Sequence, residues 1–152
     1  MKAHTYTTDL VWSGSTGAGY RAYDRAHDLA IGDSARLAVS ADPAFRGDAT
    51  LANPEQLLLG AASSCQLLSF LAVAALTHVD VVRYSDSATA VMPPDARPMR
   101  ITEISLNPVI SVRGADAATV QELVRQAHEQ CYIGNTLNAR VSVAATVEVI
   151  DG

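Results

Sequence analysis

Lysine is almost missing from this chain of 152 residues: Lys2 stands alone beside ten arginines, and only 18% of the residues are charged. The net charge is −5 with no basic cluster, so no nucleic-acid partner is expected. Cysteine is scarce too, with only Cys65 and Cys131, far apart in sequence. In a secreted protein such a pair would suggest a staple; in a reducing compartment, a pair able to meet in space suggests redox chemistry. The first residues, Met1 to Thr5, carry no apolar signal-peptide core, which predicts a cytoplasmic address. There is no glycine-rich phosphate loop, no G-x-S-x-G and no H-E-x-x-H. No internal repeat or low-complexity linker interrupts the chain, and a single domain over 1–152 is expected.

What the chain does have is one long uncharged run, from Gln56 to Thr77. Its start is written as a helix N-terminus. Asn53 suits the cap, Pro54 the first helical position, Glu55 the positive end of the dipole, and Gln56 the capping-box position. The helix predicted over 54–78 is apolar on every face, which marks a buried helix. It is long enough to span a bilayer, which takes roughly 20 apolar residues. Against a span stand Gly60, Ser63, Ser64, Gln66 and Ser69, and the lack of Lys or Arg close to either end. No membrane role is therefore expected. A central helix wrapped by sheet fits better, and its all-round apolarity favours a dimer in which two copies share a core.

The flanking segments alternate as strands. Residues 4–12 do so ahead of a Ser/Gly-rich turn at 13–19. Short strands follow across 20–31 and 35–40, with Gly32-Asp33 as the hairpin turn. After the helix, 79–92 and 100–113 form a long hairpin around the turn at 93–98, with Pro108 arguing for an edge or a bulge. Asp116 caps a second helix over 117–132, whose stripe Val120, Leu123, Val124, Ala127 and Cys131 faces the core. A last strand carries Val141, Val143, Ala145, Val147 and Val149 on one side. The order of strands, helix, hairpin, helix and strand predicts an α+β fold with antiparallel sheets around a central buried helix.

Each helix thus carries one cysteine at a core-facing position. Free cysteine is among the most buried residue types, so both are open to a purely packing role. A reactive role needs a cation, because apolar surroundings raise a thiol pKa. Cys65 lies about three turns into its helix, too deep for the dipole to act. Arg21, Arg25 and Arg46 in the N-terminal part are the candidates to reach it, beside the reading that they line a solvated face. Glu55 precedes Cys65 by ten residues, about 15 Å along a straight helix. Either the helix breaks, or Glu55 serves the cysteine of a partner subunit, or it simply matches the dipole. His128 and Cys131 occupy adjacent turns, but a lone pair of that kind makes a weak metal site and none is expected.

Asn53-Pro54-Glu55-Gln56-Leu57 leading into Ala62-Ser63-Ser64-Cys65, with Ala127-His128-Glu129-Gln130-Cys131 on the second helix, resembles the signature of the OsmC/Ohr family of thiol peroxidases. The resemblance covers nearly the whole chain. It implies an intertwined homodimer with the buried helices packed centrally. It implies a peroxidatic thiolate at Cys65, a resolving cysteine at Cys131 and a disulfide between them. It also implies a Glu55-oriented arginine that holds Cys65 ionised, for which Arg46 and Arg25 are the candidates. The expected activity is reduction of organic hydroperoxides in oxidative-stress defence, with a dithiol reductant and no cofactor. The alternative is a non-catalytic protein that binds a hydrophobic small molecule on the same scaffold. Where Ohr-type members place a proline after the second cysteine, this chain has Tyr132, and the stretches 23–27 and 40–48 resemble a less-characterised OsmC-like branch.

Overall fold

The computed structural model describes residues 1–150, which hold nine strands and three α-helices. The chain divides into two compact units, 1–57 and 58–152. In the first, β1 (Thr8–Val11), β2 (His27–Ile31) and β3 (Ala35–Val39) form an antiparallel sheet in that order. Gly32 turns the β2–β3 hairpin with φ of 52°, a left-handed conformation that costs glycine little. A 3-10 turn at Pro43–Phe45 follows, capped by the Asp42 side chain. Gly47 then passes so close to Ala41 that an added Cβ would lie 1.6 Å from its carbonyl oxygen.

The helix α1 (Pro54–Leu76) opens as the sequence predicts. The Asn53 N–H donates to Gln56 Oε1 at 3.0 Å, and the Gln56 N–H donates to Asn53 Oδ1 at 2.9 Å, a reciprocal box that satisfies two otherwise unpaired donors. The helix is unbroken, so of the alternatives for Glu55 the break is removed.

In the second unit one face of α1 is covered and the other is not. Phe70, Val73 and Ala74 pack with Ile110 and Val112 of β7 (Pro108–Arg113) and with Val120, Leu123, Val124 and Ala127 of α2 (Ala117–Glu129). About two to three turns earlier, Ala62 packs on Ile104 and Leu106 of β6 (Glu103–Leu106). Leu58, Leu68, Leu71 and Leu76 stay exposed. Within a single chain the helix is therefore buried on one stripe only, where apolarity on all faces predicts complete burial.

Two three-stranded sheets complete this unit, ordered β4-β7-β9 and β5-β6-β8. Here β4 is Asp80–Asp86, β5 Thr89–Val91, β8 Arg140–Val143 and β9 Thr146–Val149. The predicted hairpin is present but bent in both arms, giving β4 with β7 and β5 with β6, both antiparallel. The last strand is likewise split between the sheets, and its pairings with β6 and β7 are parallel. The sheets are thus mixed rather than antiparallel throughout. The reason lies in the connection: the chain returns from β7 through α2, and such a crossover delivers a strand parallel to the one it left. Pro108 is at neither an edge nor a bulge; it opens the central strand β7, a first-residue position that costs the ladder little. Asp86 holds the bend, accepting from the Asn107 N–H at 2.7 Å and from the Ser63 hydroxyl of α1.

Candidate active site

Gln66 sets the rotation of α1 at the site. It is 1% exposed, and its Nε2 donates to the Val124 carbonyl of α2 at 3.3 Å. With Gln66 turned inward, Cys65 lies at the boundary between core and solvent, half-buried. Cys131, at 2% exposure, is one of the core residues. It does not end the second helix as the sequence predicts. The α-helix α2 stops at Glu129, and Cys131 is the N-cap of a further short helix, α3 (Tyr132–Thr136).

This turn brings the two cysteines together. The Ile133 N–H donates to Cys65 Sγ at 3.5 Å, and the Gly134 N–H donates to Cys131 Sγ at 3.4 Å. Burial alone would push the Cys65 thiol up. The Ile133 N–H, the Cys131 thiol, the Tyr132 N–H and the Ser69 hydroxyl all stabilise its anion and bring it below the usual thiol range. Cys131 moves the other way. Burial pushes it up, the Gly134 N–H opposes this, and the neighbouring Cys65 sulfur adds to the rise. The pair is thus split into a more acidic, solvent-facing thiol and a less acidic, buried one.

An expected result follows for the reduced protein. At neutral pH iodoacetamide alkylates Cys65 first, and the rate falls as the pH drops through the lowered Cys65 pKa. Peptide mapping after limited alkylation reads the order; alkylation of Cys131 first would overturn this electrostatic account.

A cavity of about 250 Å³ opens beside Cys65, lined also by Leu68, Ser69, Ala72, Gln130 and Tyr132. Leu68 belongs to it and Phe70 does not. Phe70 is fully buried, with its ring 5.9 Å from that of Tyr84. The Tyr84 hydroxyl is buried and has no hydrogen-bond partner among the described residues. Its phenol is pushed up by burial, with Asp86 and Cys131 adding to the rise. His128 lies in the last turn of α2. No group of three or more His, Cys, Asp or Glu side chains is placed to hold a metal among the described residues.

The three other predicted site residues lie in the first unit. Arg25 donates to the carbonyls of Tyr23 at 2.8 Å and Tyr20 at 2.7 Å, and its guanidinium lies 4.0 Å from the Tyr23 ring centroid and 4.8 Å from that of Tyr20. These contacts fix the loop ahead of β2 and account for the conformation of Arg25 without any thiol. Arg46 is exposed, with φ of 67°, and its guanidinium makes no hydrogen bond among the described residues. Glu55 is half-buried in the first turn of α1. Sequence reasoning missed the amide donors at Tyr132 and Ile133. Nothing in the residue pattern around 131–134 marked them.

A family model described as OsmC-like protein matches residues 47–146. Among solved structures, the chain is similar to an OsmC-like protein of unknown function from Vibrio cholerae (23% identity, 97% of this chain and 100% of the other, TM-score 0.82). It is similar also to an organic hydroperoxide resistance protein OsmC from Legionella pneumophila (19% identity, 98% and 100% covered, TM-score 0.71). A third similar structure is the organic hydroperoxide resistance protein OhrB of Bacillus subtilis (18% identity, 95% and 98% covered, TM-score 0.63). None of the curated proteins matches the sequence. At these identities the structural likeness establishes the shared fold.

Proposed function

This chain belongs to the OsmC-like family, and from that premise we propose that it is a cysteine-based peroxidase that reduces organic hydroperoxides. The observation that carries the reading is the meeting of Cys65 and Cys131 with opposite shifts of acidity. The names of the Legionella and Bacillus proteins, organic hydroperoxide resistance proteins, point the same way.

In the proposed chemistry the Cys65 thiolate attacks the distal oxygen of the hydroperoxide. The O–O bond breaks, the alkoxide leaves with the electron pair and takes up a proton, and Cys65 becomes a sulfenic acid. The Cys131 sulfur attacks that sulfenic sulfur, the S–S bond forms, and hydroxide leaves as water. A dithiol then reduces the disulfide by exchange, restoring both thiols. We place this chemistry in the cytoplasm, where dithiol reductants are maintained.

The proposal includes a homodimer in which one copy supplies a cation to the thiolate of the other. Arg46 is the first candidate and Arg25 the second, with Glu55 as orienter. The Arg46 guanidinium, without a hydrogen bond among the described residues, supports that order, since Arg25 is already engaged by Tyr20 and Tyr23. Amide donors already lower the Cys65 pKa, and a charge-assisted contact would lower it further. The reduced protein is expected to consume cumene hydroperoxide in the presence of a dithiol. Arg46→Met is expected to raise the apparent Cys65 pKa by about one unit, measured by alkylation rate against pH. If Arg46→Met, Arg25→Met and Glu55→Gln all leave that pKa unmoved, the cation scheme is wrong.

A second reading, a non-catalytic binding protein, draws support from a separate cavity of about 450 Å³ in the first unit. Trp12, Tyr20, Tyr23 and Phe45 are among its lining residues. Such a protein would have no need of an acidic thiol, so the alkylation profile separates the two.

A further inference from the structure

Hydrophobicity does not explain which side of α1 faces the core. The buried stripe is Ala62, Gln66, Phe70, Val73 and Ala74, whereas Leu58, Leu68, Leu71 and Leu76 lie on the exposed side. A helix apolar on every face carries no amphipathic pattern that selects one rotation. The selection has to come from polar groups. Among the described residues, two α1 side chains donate hydrogen bonds to other elements of the unit. Ser63 donates to Asp86 at the bend of the sheets, and Gln66 donates through Nε2 to the Val124 carbonyl of α2 at 3.3 Å. Successive helical residues are turned by about 100°, which puts Ser63 on the flank of the core stripe away from Cys65. Gln66 is next in sequence to Cys65, and it is tied to the helix that leads to Cys131.

Gln66 is also a costly residue for a core. It is buried, and its Oε1 has no hydrogen-bond partner among the described residues. An apolar side chain of the same length would fill the position without leaving a polar atom unpaired. In coiled coils a single buried polar residue fixes the register that apolar contacts leave open, at a cost in stability. Gln66 stands in the same relation to α1. A register error here is large on the scale of the site. Side chains reach about 5–6 Å from a helix axis, so a slip of one residue moves a side-chain tip by roughly 8 Å. The Ile133 N–H donates to Cys65 Sγ at 3.5 Å, and a fraction of that slip breaks the contact.

We infer that Gln66 is a positioning residue for the thiol pair: by tying α1 to the Val124 carbonyl it holds Cys65 at the rotation where it meets the Ile133 N–H and Cys131. This deepens the peroxidase reading, in which the two sulfurs must join, and its test uses no hydroperoxide.

Gln66→Met keeps the length of the side chain and removes the amide. Two thiol rates are compared with the wild type. One is alkylation of Cys65 by iodoacetamide at neutral pH. The other is closure of the Cys65–Cys131 disulfide by diamide, in which the S–S bond forms and the two thiol hydrogens pass to the N=N bond of the reagent. Both are expected to slow about fivefold, because the Cys65 anion loses a hydrogen bond and the sulfurs lose their alignment. The melting temperature is expected to hold or rise, since the unpaired Oε1 is gone. A residue that only packs gives the reverse, a lower melting temperature with both rates kept. Ser63→Ala cuts the other tie and is expected to leave both rates unchanged.

The inference is overturned if Gln66→Met leaves both rates at wild-type values, or if Ser63→Ala slows them equally. It is overturned too if Gln66→Met and Gln66→Leu both fail to fold, since Gln66 then supports the fold and not the thiols. None of these results touches the peroxidase reading. If the rates fall as expected while the wild type consumes no hydroperoxide, the peroxidase reading fails and the positioning role stands.

Discussion

Cys65→Ser is expected to reduce hydroperoxide consumption to the level of buffer, and Cys131→Ser to leave a single turnover followed by overoxidation of Cys65. The two variants differ because the thiols are not equivalent in place or chemistry. Cys65 is half-buried beside an open cavity and has its anion stabilised by the Ile133 N–H, among other donors. A serine hydroxyl there titrates far above neutral pH and supplies no sulfur to accept oxygen, so no slower form of the reaction remains. Cys131 is 2% exposed, and burial raises its pKa. On the peroxidase reading it acts on the sulfenic acid next to it and not on the substrate. Without it, that sulfenic acid persists and a second peroxide carries it to the sulfinic acid. Intact mass reads the outcome: one added oxygen, then two, on the peptide holding Cys65. If Cys65→Ser still consumes cumene hydroperoxide at the parent rate, the peroxidase reading is finished. If Cys131→Ser cycles indefinitely without overoxidation, resolution does not pass through Cys131.

How much of this was written in the sequence depends on which interactions set each feature. Local chemistry was legible. The Asn53–Gln56 capping box, the Asp116 cap that accepts from the Thr119 N–H, and the Gly32 hairpin are decided by neighbours within three or four residues. Strand identity was legible in part: of the strands expected across 20–31 only His27–Ile31 forms, residues 20–26 being turn and loop, and strand breaks were not legible. Val141, Val143, Ala145 and Val147 keep one alternation across the switch from β8 to β9, so periodicity carries no sign of it. The break is made by the neighbours: the Ala144 N–H turns to the Leu106 carbonyl, and across the sheet Asn107 is held by Asp86. The position of Cys131 was missed for a similar reason. A helix of five residues shows too little period to detect, and its cap is a thiol, not one of the usual oxygen-bearing side chains. The consequence reaches the chemistry. From sequence only an arginine is in view to lower the Cys65 pKa, whereas backbone amides of Tyr132 and Ile133 already lower it.

Sedimentation at micromolar concentration is expected to show the wild type as a stable dimer, and Leu71→Glu with Leu76→Glu to dissociate or unfold it. One side of α1 is uncovered in the single chain. Leu58, Ala61, Leu68, Leu71, Ala72, Ala75 and Leu76 are all exposed and follow one another at spacings near helical period. Leu68 and Leu76 are 63% and 81% exposed, and Leu58 and Leu71 are 36% and 38%. Covering what remains of four leucines is worth about 3–6 kcal/mol per helix, at ~1.5–3 kcal/mol for a whole side chain. Two facing helices double that, to roughly 6–12 kcal/mol, while association costs on the order of 4–15 kcal/mol before any gain appears. The leucines alone therefore bring the dimer only to balance. The alanines between them matter because they let two helices approach closely and add apolar area without side-chain entropy. Two glutamates at Leu71 and Leu76 remove much of that gain and set four carboxylates against one another across a two-fold axis. Both positions lie outside the core stripe of Ala62, Gln66, Phe70, Val73 and Ala74, so the charges reach water in a monomer. Circular dichroism on the same samples tells dissociation from unfolding. A wild type that sediments as a folded monomer would refute the dimer, and with it any cation supplied to Cys65 by a second copy.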